Sequence, residues 1–129
     1  MNSNIVTPFK RYESVEGVLP LYSTARTWAV GTNHQIVAAV SGKVIAVMGI
    51  IAQTNAASPL KSVVEFIDGS GGTAITIPLS VATDLEDPTQ FPVDDNEYCR
   101  TSTGIGLYAN VTVARVGLWV RYIVYTPDL

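Results

Sequence analysis

The sequence predicts an all-β antiparallel domain, either a sandwich or a barrel. β-branched and aromatic residues are dense from Arg26 onward. Turn-forming residues interrupt them at short intervals, and no stretch keeps a helical period. Short apolar runs separated by turn signals are how closed or two-layered β architectures read in sequence.

The elements follow in chain order. Residues 1–25 differ from the rest: Pro8, Gly17 and Pro20 break them up, and Ile5, Phe9, Tyr12, Val15, Val18 and Leu21 recur without helical or strand period. They read as an extended N-terminal arm with apolar anchors, or as a strand and loop packed on the domain. The β domain is then expected over residues 26–129, with strands at 27–30, 35–40, 43–53, 62–68, 73–79, 98–103, 107–113 and 116–126. Ser41-Gly42 fits a two-residue hairpin turn. Gly69-Ser70-Gly71-Gly72 fits a hairpin loop joining Phe66-Ile67 to Ile75–Ile77. Residues 84–97 hold Pro88, Pro92 and most of the acidic side chains, so a long exposed loop is expected there.

Side chains alternate across a strand, so each long run can be sorted into two faces. In 43–53 one face carries Val44, Ala46, Met48, Ile50 and Ala52, and the other carries Ile45, Val47 and Ile51. In 116–126 one face carries Leu118, Val120, Tyr122 and Val124, and the other carries Trp119, Arg121, Ile123 and Tyr125. A solvated face reads polar, and none of these does. The second apolar face is expected against another subunit or beneath the arm.

Composition excludes several classes. At 129 residues the chain is one domain, long enough to bury a core without disulfides or metal. Charged residues are 15% and hydrophobic residues 47%, the reverse of a disordered chain. The mean hydropathy of +0.27 is high for a small soluble monomer. A formal charge of −3, with Lys10-Arg11 the only adjacent basic pair, leaves no basic surface for nucleic acid. The most apolar stretch, 35–51, is broken by Ser41-Gly42-Lys43 and reads as two strands, so no membrane span is expected. The opening residues have no charged stretch followed by a long apolar one, which predicts synthesis in a cytoplasm.

Catalytic and metal chemistry is hard to assemble. Cys99 and His34, each the only one of its kind, make up the composition of a thiol hydrolase. Cys99, however, sits in an expected strand between Tyr98 and Arg100, where cysteine is usually a core filler. Structural zinc needs four Cys or His ligands and finds two. Asp84, Glu86, Asp87, Asp94, Asp95 and Glu97 are dense enough to consider calcium, but the spacing is not that of an EF-hand and the prolines interrupt it. The glycines at 69–72 lack the lysine and helix of a phosphate loop. Asn110-Val-Thr112 matches a glycosylation sequon inside an expected strand. No cofactor, metal or small-molecule substrate is expected.

One resemblance adds to this reading. An apolar strand ends in a Gly-Lys turn (Ala38–Lys43) and continues apolar through Ile50. A Gly-rich hairpin then closes in Pro-Leu (Val63–Ile67, Gly69–Gly72, Ile75–Leu79). A proline-containing loop leads to a polar strand, then to a Gly-x-Gly turn with a strand of small polar residues, and last to an aromatic strand. Over about residues 35–126 this order of elements resembles the capsid decoration (cement) proteins of tailed bacteriophages. The resemblance implies a β-sandwich or jelly-roll subunit, a homotrimer, the major capsid protein as partner, and a place on the virion surface. It implies a structural, non-enzymatic role. Apart from the resemblance, the aromatic and arginine face of Trp119, Arg121, Ile123 and Tyr125 is expected at a subunit interface or under the arm. The resemblance does not cover the arm, whose aperiodic anchors and basic pair, Ile5, Phe9, Lys10, Arg11 and Tyr12, are expected against the capsid. A phage tail, fibre or baseplate β-module is an alternative role. So is a carbohydrate-binding sandwich that offers Trp28 or Trp119 to a sugar.

Overall fold

A computed structural model of the chain describes residues 13–14, 17–18, 20–54, 61–83, 87–93 and 96–127. Among these residues there is no helix, and hence none able to cross a membrane. They form β1 (Glu13–Ser14), β2 (Gly17–Val18), β3 (Tyr22–Trp28), β4 (Gly31–Val37), β5 (Val44–Thr54), β6 (Ser62–Asp68), β7 (Leu79–Val81), β8 (Thr89–Phe91), β9 (Cys99–Arg100), β10 (Leu107–Thr112) and β11 (Val116–Tyr125). β1 and β2 pair with each other. The rest make two antiparallel sheets. One has the order β4-β10-β6-β7, and the other has the order β3-β11-β5-β8, with β9 also on β5. The chain changes sheet between β3 and β4, β4 and β5, β5 and β6, β7 and β8, β9 and β10, and β10 and β11, as in a jelly roll. The expected all-β sandwich is the fold observed.

The core lies between the sheets. Ile45, Val47, Ile50 and Ala52 of β5 and Val116, Leu118 and Val120 of β11 meet Val64 and Phe66 of β6 and Leu107, Ala109 and Val111 of β10. All are buried, with Phe66 the largest of the fully buried side chains. The alternation expected for β11 holds. That expected for β5 does not. Arg121 faces Gly49, but Tyr122 faces Val47, so Met48 is an extra residue and the strand carries a β-bulge. The bulge shifts the period by one: Ile45, Val47, Ile50 and Ala52 point inward, while Val44, Ala46 and Met48 point outward.

Other departures have local causes. The first strand of the sandwich begins at Tyr22, ahead of the expected boundary at Arg26, because the run from Tyr22 to Trp28 pairs in unbroken register with β11. Ser41-Gly42 is a turn, with Gly42 at φ 72° and Lys43 N donating to Val40 O at 3.0 Å. It is not a hairpin, since β4 and β5 lie in different sheets. The Gly69–Gly72 hairpin forms as expected, closed by Asp68 N to Thr73 O and Ile75 N to Phe66 O, both 2.9 Å. Beyond the Ile67–Ala74 bridge its second arm leaves the sheet, and pairing resumes at β7. The segment expected as one acidic loop contributes β8. The arm residues Ile5, Phe9, Lys10, Arg11 and Tyr12 lie outside the described residues.

Candidate functional site

The outer face of the five-stranded sheet is built from the side chains that alternation turns away from the core. On β11 these are Trp119, Arg121, Ile123 and Tyr125, and their β5 and β3 partners complete the face. The face has two halves.

In the lower half Val44, Ala46, Met48, Ile123 and Tyr125 form a second apolar cluster, each at most 8% exposed. A single chain already covers Ile123 and Tyr125, so these two members of the expected interface are not open to a partner. The Tyr125 hydroxyl donates to Glu97 Oε2 (3.2 Å) and accepts from Arg100 Nη1 (3.1 Å). Glu97 and Arg100 complete the triangle as an ion pair at 3.6 Å, with the carboxylate side chain only 10% exposed. Burial raises the Tyr125 phenol above its ordinary pKa, outweighing the opposite pull of Arg100.

In the upper half the face is open. Ala25, Trp119 and Ile51 lie side by side across three strands, next to the row Thr27, Gly117 and Gln53. Gly117 has no side chain, and a Cβ there would meet only Gln53 O, at 3.7 Å. The result is a groove of about 620 Å³ lined by Ala25, Ile51, Gln53, Pro88, Gly117 and Trp119, among others. Arg121 lays its guanidinium over the Trp119 ring at 4.7 Å. Trp119 and Arg121 are both half-buried.

The remaining sequence candidates lie elsewhere. Trp28 packs against the core edge, with Arg26 4.6 Å over its ring and His34 at 5.1 Å. His34 Nε2 pairs with Ala29 O at 2.7 Å. Cys99 is in the opposite sheet from His34 and is buried. Burial, aided by Glu97, pushes its thiol up to about 12, which works against the thiolate that nucleophilic chemistry needs. Asn110 accepts from Asn33 N at 2.9 Å. Among the described residues no three His, Cys, Asp or Glu side chains converge on a metal position. Sequence reasoning missed Gly117 and Gly49, which shape the outer face by omission. Their signal was a glycine inside a strand run, a mark of close approach or a bulge.

No protein-family model and no curated protein matches the chain. Among solved structures the chain is similar to one from a study of Bacillus endospore appendages, described as disulfide-linked pili. The TM-score is 0.50 and identity 18%, over 85% of this chain and 89% of that one. This likeness shows a shared fold. Two particle structures of infectious bursal disease virus align with TM-scores of 0.30 and 0.25, at 13% and 12% identity, over 84% and 81% of this chain. The chain spans only 32% and 30% of their length, and likenesses this loose carry no argument.

Proposed function

We propose that the chain is a non-catalytic structural protein of the virion, a capsid decoration (cement) protein that self-associates as a trimer and binds the major capsid lattice. The observation that carries this is the outer face of the five-stranded sheet. A sheet whose two faces are both apolar, one of them left as an open groove beside a tryptophan, is a surface suited to being covered. Trp119 with Arg121 over its ring is the kind of anchor enriched at interface cores. The trimer and the capsid partner come from the resemblance in element order. Contacts are non-covalent. The similar pilus chain is described as disulfide-linked, whereas this chain's one cysteine is buried with its thiol held protonated.

The test is co-sedimentation of the purified protein with shells of its virus's major capsid protein, followed by electron cryomicroscopy. Decoration at symmetric lattice positions is expected; saturating protein that leaves the shells bare sinks the proposal. The half-exposed Trp119 also favours a second reading, a sugar platform. Arg121, however, occupies a face of that ring, and oligosaccharides are expected to leave the tryptophan fluorescence unchanged.

A further inference from the structure

Charge is segregated along this chain. Residues 17–64 hold three bases and no acid; residues 62–99 hold eight acids and no base. Among the described residues one base of the first stretch and one acid of the second, Arg26 and Asp87, fall at opposite edges of the five-stranded sheet. β3 and β4, seven residues each, are the outer strands on one side, and only Ala29 and Val30 connect them. β7 and β8, three residues each, are outer strands on the other side, together with the two-residue β9, whose Arg100 is already paired with Glu97. β7 and β8 are tied together by Ala82 N donating to Thr89 Oγ1, 2.9 Å, and by Thr89 Oγ1 donating to Ser80 O, 3.3 Å. Arg26 is exposed on the long side, and Asp87, just ahead of β8, is exposed on the short side. Among the described residues neither has an ion-pair partner.

They cannot serve each other within one chain. Arg26, Leu118, Ala52 and Thr89 form one row across the sheet. Three strand spacings put β3 roughly 14 Å from β8, beyond the Debye length of about 10 Å at 0.1 M salt.

We infer that copies of this chain associate side by side and head to tail, with the β3 edge of one against the β8 edge of the next. The inference rests on the self-association proposed above and names its surfaces. Strand direction allows it: β3, β11, β5 and β8 alternate, so β8 of one copy and β3 of a copy displaced sideways run antiparallel. The second sheet, β4-β10-β6-β7, alternates in the same way. Charge selects it. Arg26 shares the inward face with Leu118, and an inward-pointing charge on an edge strand turns away an arbitrary strand by forcing its burial. A strand that brings a carboxylate to the same level removes that penalty, and Asp87 lies two residues before Thr89, in the Arg26 row. A two-fold β3–β3 pairing would instead bring two copies of Arg26 together. Because the two edges differ, the contact is heterologous, and such contacts close into rings or run into filaments.

Sedimentation of the wild type, Arg26→Glu, Asp87→Lys and the double variant tests this, with circular dichroism confirming each fold. Arg26→Gln and Asp87→Asn serve as milder substitutes. Each single reversal is expected to weaken association about tenfold or more, as is raising salt from about 50 to about 500 mM. The double variant should recover wild-type association, and at this separation recovery can only be intermolecular. A wild type that associates but ignores the single reversals, or a double variant no better than the singles, overturns the edge contact and leaves self-association standing. A wild type that is monomeric at every concentration overturns both.

Discussion

The burial of Cys99 has a measurable cost at alkaline pH. In the fold its thiol holds its proton up to about 12, whereas an unfolded cysteine releases it near 9.0. The raised group therefore leaves stability constant below about pH 9, and stability falls as the pH climbs from there toward 12, by up to roughly 4 kcal/mol. The buried Tyr125 phenol, also raised, acts in the same direction. Denaturant midpoints of Cys99→Ala are expected to decline less steeply than wild type above pH 9; equal slopes would show that the thiol is not the group responsible. Cys99 was legible as core filler because it sits in an expected strand between Tyr98 and Arg100, with no local partner for other chemistry. The Glu97–Arg100–Tyr125 triangle was not legible. Tyr125 lies 25 and 28 residues from Arg100 and Glu97, and only the pairing of both β9 and β11 with β5 brings it to them. Ser62 shows the same limit: its hydroxyl lies 2.7 Å from Thr112 O and 2.6 Å from Ala114 O, about 50 residues on in sequence.

The bulge in β5 is the element that decides which side chains reach the core. Strict alternation placed Val44, Ala46 and Met48 with Ile50 and Ala52. One extra residue moved the first three to the outer face, and nothing in an unbroken apolar run marks where such a shift falls. The only trace was Gly49. β8 and the segment after it lie directly over that glycine, where a Cβ would come within 2.7 Å of Val93 Cγ2, 3.1 Å of Val93 N and 3.3 Å of Phe91 O. Gly49→Ala is expected to push this segment off β5 and to cost about 1–3 kcal/mol. Faster hydrogen exchange confined to Phe91 and its neighbours, alongside a lower urea midpoint, is the signature; wild-type exchange there would mean the segment adjusts freely. β8 itself escaped prediction because three residues between Pro88 and Pro92 show no period. The long strands β6, β10 and β11 were legible to within a residue or so, since each buries alternate side chains against the opposite sheet.

At the scale of the whole molecule, folding and association draw on different parts of one sheet. The core between the sheets and the lower outer cluster are closed within a single chain. Among the described residues nothing closes the upper groove or the β3 edge beside it. A substitution in the first set should therefore unfold the protein: Phe66→Ala is expected to cost about 3–5 kcal/mol. A substitution in the second set should separate the two properties. Trp119 is half-buried in the free chain, so Trp119→Ala removes only part of a full aromatic burial, about 1–2 kcal/mol of folding stability. In an assembly that covers the groove the same side chain becomes a desolvated anchor, and its loss should cost at least about 2 kcal/mol of binding, roughly thirtyfold in affinity. Unfolding of the dilute protein and sedimentation of the concentrated protein measure the two quantities independently. A Trp119→Ala variant that associates with itself and with capsid shells as tightly as wild type would show that the groove faces solvent in the assembled state. The lower outer cluster of this sheet is closed within one chain, so the groove is where the two measurements should diverge.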